Sequence, residues 1–340
     1  MAVTPPPTPR VPAEWEPHQT LWLGFPSHAE LWEDDLAPAQ DECAALARAL
    51  AGAGRERVRL LTAGEHGARD ARARLAGVEG IEIVRAEFGD IWVRDTGPIF
   101  HRCGESYRAA AFRFNGWGGK YRLEGDDTVA EQIAAAAGAP RSDHAFVLEG
   151  GAVDHDGFGT VLTTEQCLLN PNRNPGWTRA HAEAALRDSL GARTVLWLGK
   201  GLANDHTDGH VDNLARFVAP GVVAVPVAWG RDDPNAQAFD DAARRLSTGK
   251  DARGAPLQVV RIPSPGRITD GEGAVVPASH MNFIIADGAV VMPTYEDRAS
   301  ALALEALASL FPEREAIGLP SRALLTGGGS FHCITQQEPA

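Results

Sequence analysis

Cys333 lies seven residues from the C-terminus, behind Gly327-Gly328-Gly329 and between His332 and Ile334. A cysteine in an apolar run is ordinarily a small buried hydrophobe. Three glycines ahead of it let the backbone approach a ligand closely, which suits a nucleophile. Cys43, on the apolar face of a helical pattern, and Cys167, followed by Leu168-Leu169, read as core. Residues 204–213 place eight polar or titratable groups in ten positions, and two chemistries use such density. Asp208, His210 and Asp212 form a D-x-H-x-D pattern that would put three metal ligands on one face of a strand. Alternatively His210 works without metal as acid or base, with Asp212 beside it. The further acidic clusters that a two-metal site needs are missing from the chain, which favours the metal-free reading. Asp95 follows Ile91-Trp92-Val93, and Glu149 follows Phe146-Val147-Leu148. Carboxylates in apolar, glycine-flanked stretches need a partner or a cationic ligand to offset desolvation. Asp95, Glu149 and Asp212 converging with His210 and Cys333 would suit a guanidinium, whose fork of donors matches carboxylates, with Trp92 and Trp117 as flat faces.

These residues need elements to carry them. Residues 34–53, 178–190, 239–246 and 300–310 read as helices, and 57–61, 81–84 and 194–198 as strands. Their alternation gives an α/β chain. Asp95, Glu149, His210, Asn282 and Cys333 each sit in a Gly- or Asp-rich turn leading into a strand-like run, at spacings of 54, 61, 72 and 51 residues. Three runs continue into hairpins turning at Asp156-Gly157, Ala219-Pro220-Gly221 and Ala286-Asp287-Gly288. The pattern predicts about five related α/β blades round one axis, with the polar turns meeting at its mouth.

The net charge of −13 argues against nucleic-acid binding, and no apolar stretch is long enough to span a membrane. Four scattered cysteines without a CxxC pair fit a reducing cytoplasm. Residues 1–11, rich in proline, are expected to be a flexible lead-in, and 12–340 a single catalytic domain.

The motifs WEPHQTLWLGFP, WVRDTGP, FNGWGGKY, LEGGAVDHDGFGTVLTTEQCLLNPNRNP, DGHVDN, ASHMNF and GGGSFHCITQQ occur in that order. Through them nearly the whole chain resembles the agmatine deiminase and bacterial peptidylarginine deiminase family of guanidino-modifying (pentein) enzymes. The resemblance implies a five-bladed pseudo-symmetric α/β propeller and hydrolysis of a guanidino group to a ureido product and ammonia, without metal or organic cofactor. With agmatine the product would be N-carbamoylputrescine, within polyamine metabolism. It casts Cys333 as nucleophile, His210 and Glu149 as the proton-handling pair, and Asp95 and Asp212 as the clamp on the cation. His206 replaces an acid usual four residues before the histidine, and His280 replaces a tyrosine in ASHMNF. Both are expected to face the substrate tail, and they leave arginine or a peptidyl-arginine open beside agmatine. A metal-dependent ureohydrolase built on Asp208, His210 and Asp212, and a non-catalytic binder, are the competing readings. The expected partner is a small cationic guanidino compound; assembly as a homo-oligomer is left open.

Overall fold

The computed structural model describes residues 8–104, 106–295 and 298–340. Its strands fall into five sheets. The first contains β1 (His18–Gly24), β2 (Val58–Thr62) and β3 (Ile81–Arg85). The next two are β4 (Ile99–Cys103), β5 (Ser106–Arg113) and β6 (Arg141–Val147), then β7 (Val153–His155), β8 (Thr160–Thr164) and β9 (Thr194–Leu198). The last two are β10 (Arg216–Ala219), β11 (Val222–Val227) and β12 (Gln258–Pro263), then β13 (Ile284–Ile285), β14 (Ala289–Thr294) and β15 (Glu315–Pro320). The chain's last strand, β16 (Thr335–Pro339), returns to pair antiparallel with β1.

One pairing scheme repeats five times. An antiparallel pair (β4·β5, β7·β8, β10·β11, β13·β14, β16·β1) is followed by a parallel partner (β6, β9, β12, β15, β2). A parallel partner requires a crossover, and helices occupy these crossovers. They are α1 (Leu36–Ala51), α2 (Val129–Ala137), α3 (Arg179–Leu190), α4 (Ala236–Ser247) and α5 (Ser300–Leu310). Helix α1 buries Ala39, Cys43, Leu46, Ala47 and Leu50, the spacing of an amphipathic face. Helix α3 starts where Thr178 and His181 bond reciprocally across its first turn and stops at Gly191 in a left-handed conformation.

The expected strands at 57–61, 81–84 and 194–198 and all three hairpin turns are present, as are the expected helices. One departure is at the front of α1, where Glu33–Asp35 forms a separate tight turn. A second is the lead-in. Residues 1–7 lie outside the described part, but Arg10 pairs with Arg102 and Val11 is buried, so packed structure begins before Pro12. A third concerns residues 208–212, which form turns ending in the short helical turn Val211–Asn213, with Asp208 at φ 64°. Strand alternation therefore does not align Asp208, His210 and Asp212.

Candidate active site

Each unit delivers one polar turn just before the leading strand of its antiparallel pair. Asp95 lies in the short helix Val93–Thr96 ahead of β4, and Glu149 precedes the turn Gly150–Ala152 ahead of β7. His210 and Asp212 bracket the turn ahead of β10, Asn282 comes two residues before β13, and Cys333 two before β16. These side chains converge. His210 Nδ1 lies 3.7 Å from Asp95 Oδ2 and its Nε2 3.9 Å from Glu149 Oε2. Cys333 Sγ lies 3.8 Å from Asp212 Oδ2 and accepts from Asn282 Nδ2 at 3.2 Å. A Cβ added to Gly151 would meet His210, Asp212 and Asp95 atoms at 2.5, 3.0 and 3.0 Å, which places all three round one point.

Second contacts fix these groups. Asp95 accepts from Gly151 N at 2.9 Å and from Trp117 Nε1 at 2.8 Å. Trp117 is held at φ 50° inside the tight Gly116–Gly119 turn, a region that non-glycine residues seldom occupy. Glu149 takes the Arg173 guanidinium at 2.7 Å. Asn282 Oδ1 accepts from the backbone N–H groups of His332 and Cys333 at 2.9 and 3.3 Å, so its amide nitrogen must face the sulfur.

The site sorts its charges. Burial, reinforced by Asp212 and Asp95, pushes the Cys333 thiol well up. Burial opposes a charge on His210, yet Asp95, with Cys167 and Glu149, pushes its pKa well above the ordinary value. Burial raises Asp95 against the pull of His210. Glu149 and Asp212 are held down despite burial, Glu149 by His210 and Arg173, and Asp212 by His332. A thiol beside ionised acids is a poor nucleophile until a cation arrives to offset them.

Cys333, Asp95, Trp92, Trp117 and His206 line a cavity of about 520 Å³, and Trp32 adds a further wall. Gly327 and Gly329 pack so closely on Trp32 and Trp92 that a Cβ would come within 2.7 and 2.5 Å of their rings. His206 is at the mouth, its Nδ1 3.1 Å from the Tyr121 hydroxyl. His280 does not reach the cavity. It is buried with Nδ1 against the Pro263 carbonyl and Nε2 near Ser300, so it does not belong with the substrate-contacting residues.

The metal pattern is likewise broken up. Asp208 is paired with Lys120 at 2.6 Å and with Arg173, so two cations already occupy it. Among the described residues, Glu149, Cys167 and His210 come close enough to share an ion, as do His18, Glu56 and Asp287. In the first set Arg173 already sits on Glu149, and in the second His18 sits on Glu56. In the sequence Cys167 has the surroundings of core, and Asn282, Trp32, Arg173, His332 and Glu14 have no assigned role. Asn282 carries a signal in its place in the fourth turn of the series, and Arg173 in lying within the motif that follows Glu149.

Residues 10–339 match the family model of Porphyromonas-type peptidyl-arginine deiminase. The chain is 39% identical to the agmatine deiminase of Pseudomonas aeruginosa over 97% of its own length and 95% of the relative's. It is 40% identical to that of Ectopseudomonas mendocina with the same coverage. The agmatine deiminase of Enterococcus faecalis superposes with a TM-score of 0.91 at 33% identity, covering 99% of this chain and 98% of that one. The mixed α/β fold, the convergent site and these likenesses define one class, and the chain belongs to the Porphyromonas-type peptidyl-arginine deiminase family.

Proposed function

We propose that this protein is a hydrolytic deiminase of agmatine or a close guanidino relative, acting through a covalent adduct on Cys333. The observation that carries this is the Cys333 thiol 3.8 Å from Asp212, in one site with His210 held between Asp95 and Glu149. Asp95 and Asp212 grip the guanidinium and hold its carbon before the sulfur. The cation offsets the carboxylates that keep the thiol protonated, so the thiol releases its proton to solvent on binding, and the thiolate attacks the carbon to form a tetrahedral adduct; the thiolate expelled at the end takes a proton back. His210, charged beside Asp95 and Glu149, gives its proton to the departing nitrogen, which leaves as ammonia. The neutral ring then takes a proton from water, whose oxygen attacks the amidino carbon and expels the sulfur. Glu149, anchored by Arg173, balances the charge on His210 through both steps. The products are ammonia and a ureido compound, N-carbamoylputrescine when the substrate is agmatine.

The cavity favours a tail that carries no acid. Glu33, Asp34, Asp35 and Asp90 line it. Arg173, which could have met a carboxylate, is committed to Glu149 and Asp208. Arginine and peptidyl-arginine are the runner-up substrates. In this reading the five sheets are blades of a propeller, and residues 12–340 form one catalytic domain whose strand ends gather the site at the axis. Four scattered cysteines with no CxxC pair support a reducing, cytoplasmic setting. Among the described residues no helix is long and apolar enough to cross a membrane.

The test is ammonia release from agmatine, arginine and an arginine ester in the presence of a chelator. Turnover of agmatine with a ureido product, lost in Cys333→Ala, is expected. Urea as product, chelator-sensitive turnover, or an active Cys333→Ala protein would overturn the assignment.

A further inference from the structure

The clamp residue Asp212 does not hold itself. Its carboxylate is fully buried, Oδ1 has no partner among the described residues, and Oδ2 is bonded by His332 Nδ1 at 2.8 Å. The other ring nitrogen of His332 lies 3.1 Å from Glu14 Oε2. Glu14 is anchored in turn, by the Ile285 backbone N–H at 2.7 Å and by the buried guanidinium of Arg216. The His332 backbone is locked as well, since its N–H donates to Asn282 and its carbonyl accepts from Arg94 Nε at 3.2 Å. Both carboxylates are held in the ionised, acceptor-only form, Asp212 with the help of His332 and Glu14 with that of Arg216. An ionised carboxylate can only accept, so Nδ1 is the donor to Asp212 Oδ2.

From this geometry we infer that His332 is a positioning residue, fixing the plane of the Asp212 carboxylate beside the Cys333 sulfur, where the cation must be gripped. Rotation of a carboxylate about its last bond is soft, and a planar, forked cation rewards only one setting of it. A rigid ring braced from behind by Glu14 supplies that setting before substrate binds. The inference rests on the deiminase reading, which wild-type turnover tests first.

Two substitutions separate positioning from simple packing. In His332→Asn the amide nitrogen takes the place of Nδ1 and still donates to Asp212. In His332→Gln a donor remains near Glu14 and the one facing Asp212 is lost. His332→Asn is expected to keep kcat/KM within about 10-fold of wild type, whereas His332→Gln loses about 10- to 100-fold, mostly through KM, the size of one hydrogen bond to a charged group. A second readout does not need turnover. Asp212 is one of the charges that suppress the Cys333 thiolate, and the His332 donor offsets part of that charge, so His332→Gln should slow alkylation of Cys333 by iodoacetamide in the free enzyme. Asp212→Asn, which removes the charge itself, should speed alkylation, and adding His332→Gln to it should change the rate no further. Equal losses in the two His332 variants, or alkylation that is unchanged or faster in a folded His332→Gln protein, would overturn the inference while leaving the deiminase assignment intact.

Discussion

Gly151 and Cys333 show how little room the reacting groups have. Gly151 has a backbone conformation open to other residues, yet a methyl group there would lie 2.5 Å from His210 Nδ1. Gly151→Ala should therefore cost about 1–3 kcal/mol of stability by overpacking. Activity should fall further than stability, because the atom displaced belongs to the proton-transfer group; urea unfolding and ammonia release measure the two effects. Cys333 yields a prediction on pH. Burial and two carboxylates raise its pKa, so thiolate forms only above the ordinary thiol range in the free enzyme. Alkylation followed against pH should have its midpoint well above about 8.5, the value for a free cysteine. An inert alkylguanidinium bound in the site adds positive charge and should move that midpoint down. A midpoint at or below the free value would show that the carboxylates do not govern the sulfur.

At the scale of elements, the cavity wall is set by a pair of buried acids. Asp90 accepts from the indoles of Trp32 and Trp92 at 3.0 and 2.6 Å, and Asp126 Oδ1 accepts the backbone N–H groups of Gly89 and Asp90. Burial pushes both carboxyls up to about 6. The sign of the linkage follows. An acid whose folded pKa is raised binds more protons folded than unfolded, so stability declines as pH climbs from about 4 to 6 and stays lower at neutral pH. Asp126→Asn keeps the acceptor at Oδ1 and removes the charge. It should raise stability by about 1–3 kcal/mol at pH 7, an effect that vanishes near pH 4. Thermal unfolding at both pH values checks this, and equal shifts at the two would refute it. The adjoining glycines serve the same wall: Gly328, at φ 102°, turns the chain between two residues pressed onto tryptophan rings.

For the whole molecule, the decisive contact joins the two ends of the chain. Without β16 the first unit lacks its antiparallel strand, and the turn holding Cys333 loses its anchor. The junction is sealed by Trp22 Nε1 on Glu338 at 3.0 Å and by Arg94 on Gln336 and Gln337 at 2.9 and 2.7 Å. Removing residues 335–340 should thus destabilise the entire fold rather than fray one edge. A truncated protein that kept the wild-type melting temperature would show that the β16–β1 pairing does not hold the fold together. Glu14 makes the matching point at the other end, since a residue near the start of the chain braces the histidine beside Cys333.

Local chemistry determined much of this molecule. Helical periodicity, turn pairs such as Asp156-Gly157, and the cap at Thr178 depend on near neighbours, and so they could be read from the sequence. The recurring polar turns placed Asp95, Glu149, His210 and Cys333 on equivalent positions because one supersecondary unit repeats. Tertiary structure alone decided the rest. Asp208 was spaced like a metal ligand, but Lys120 and Arg173 reach it from other elements. His280 sat in a site motif, yet its ring turns away toward Pro263. The bracing of Asp212 joins residues 14, 212 and 332, and the seam of the fold joins residue 22 to residue 338. No sequence spacing encodes such contacts, because they exist only once distant segments have packed and excluded water between them.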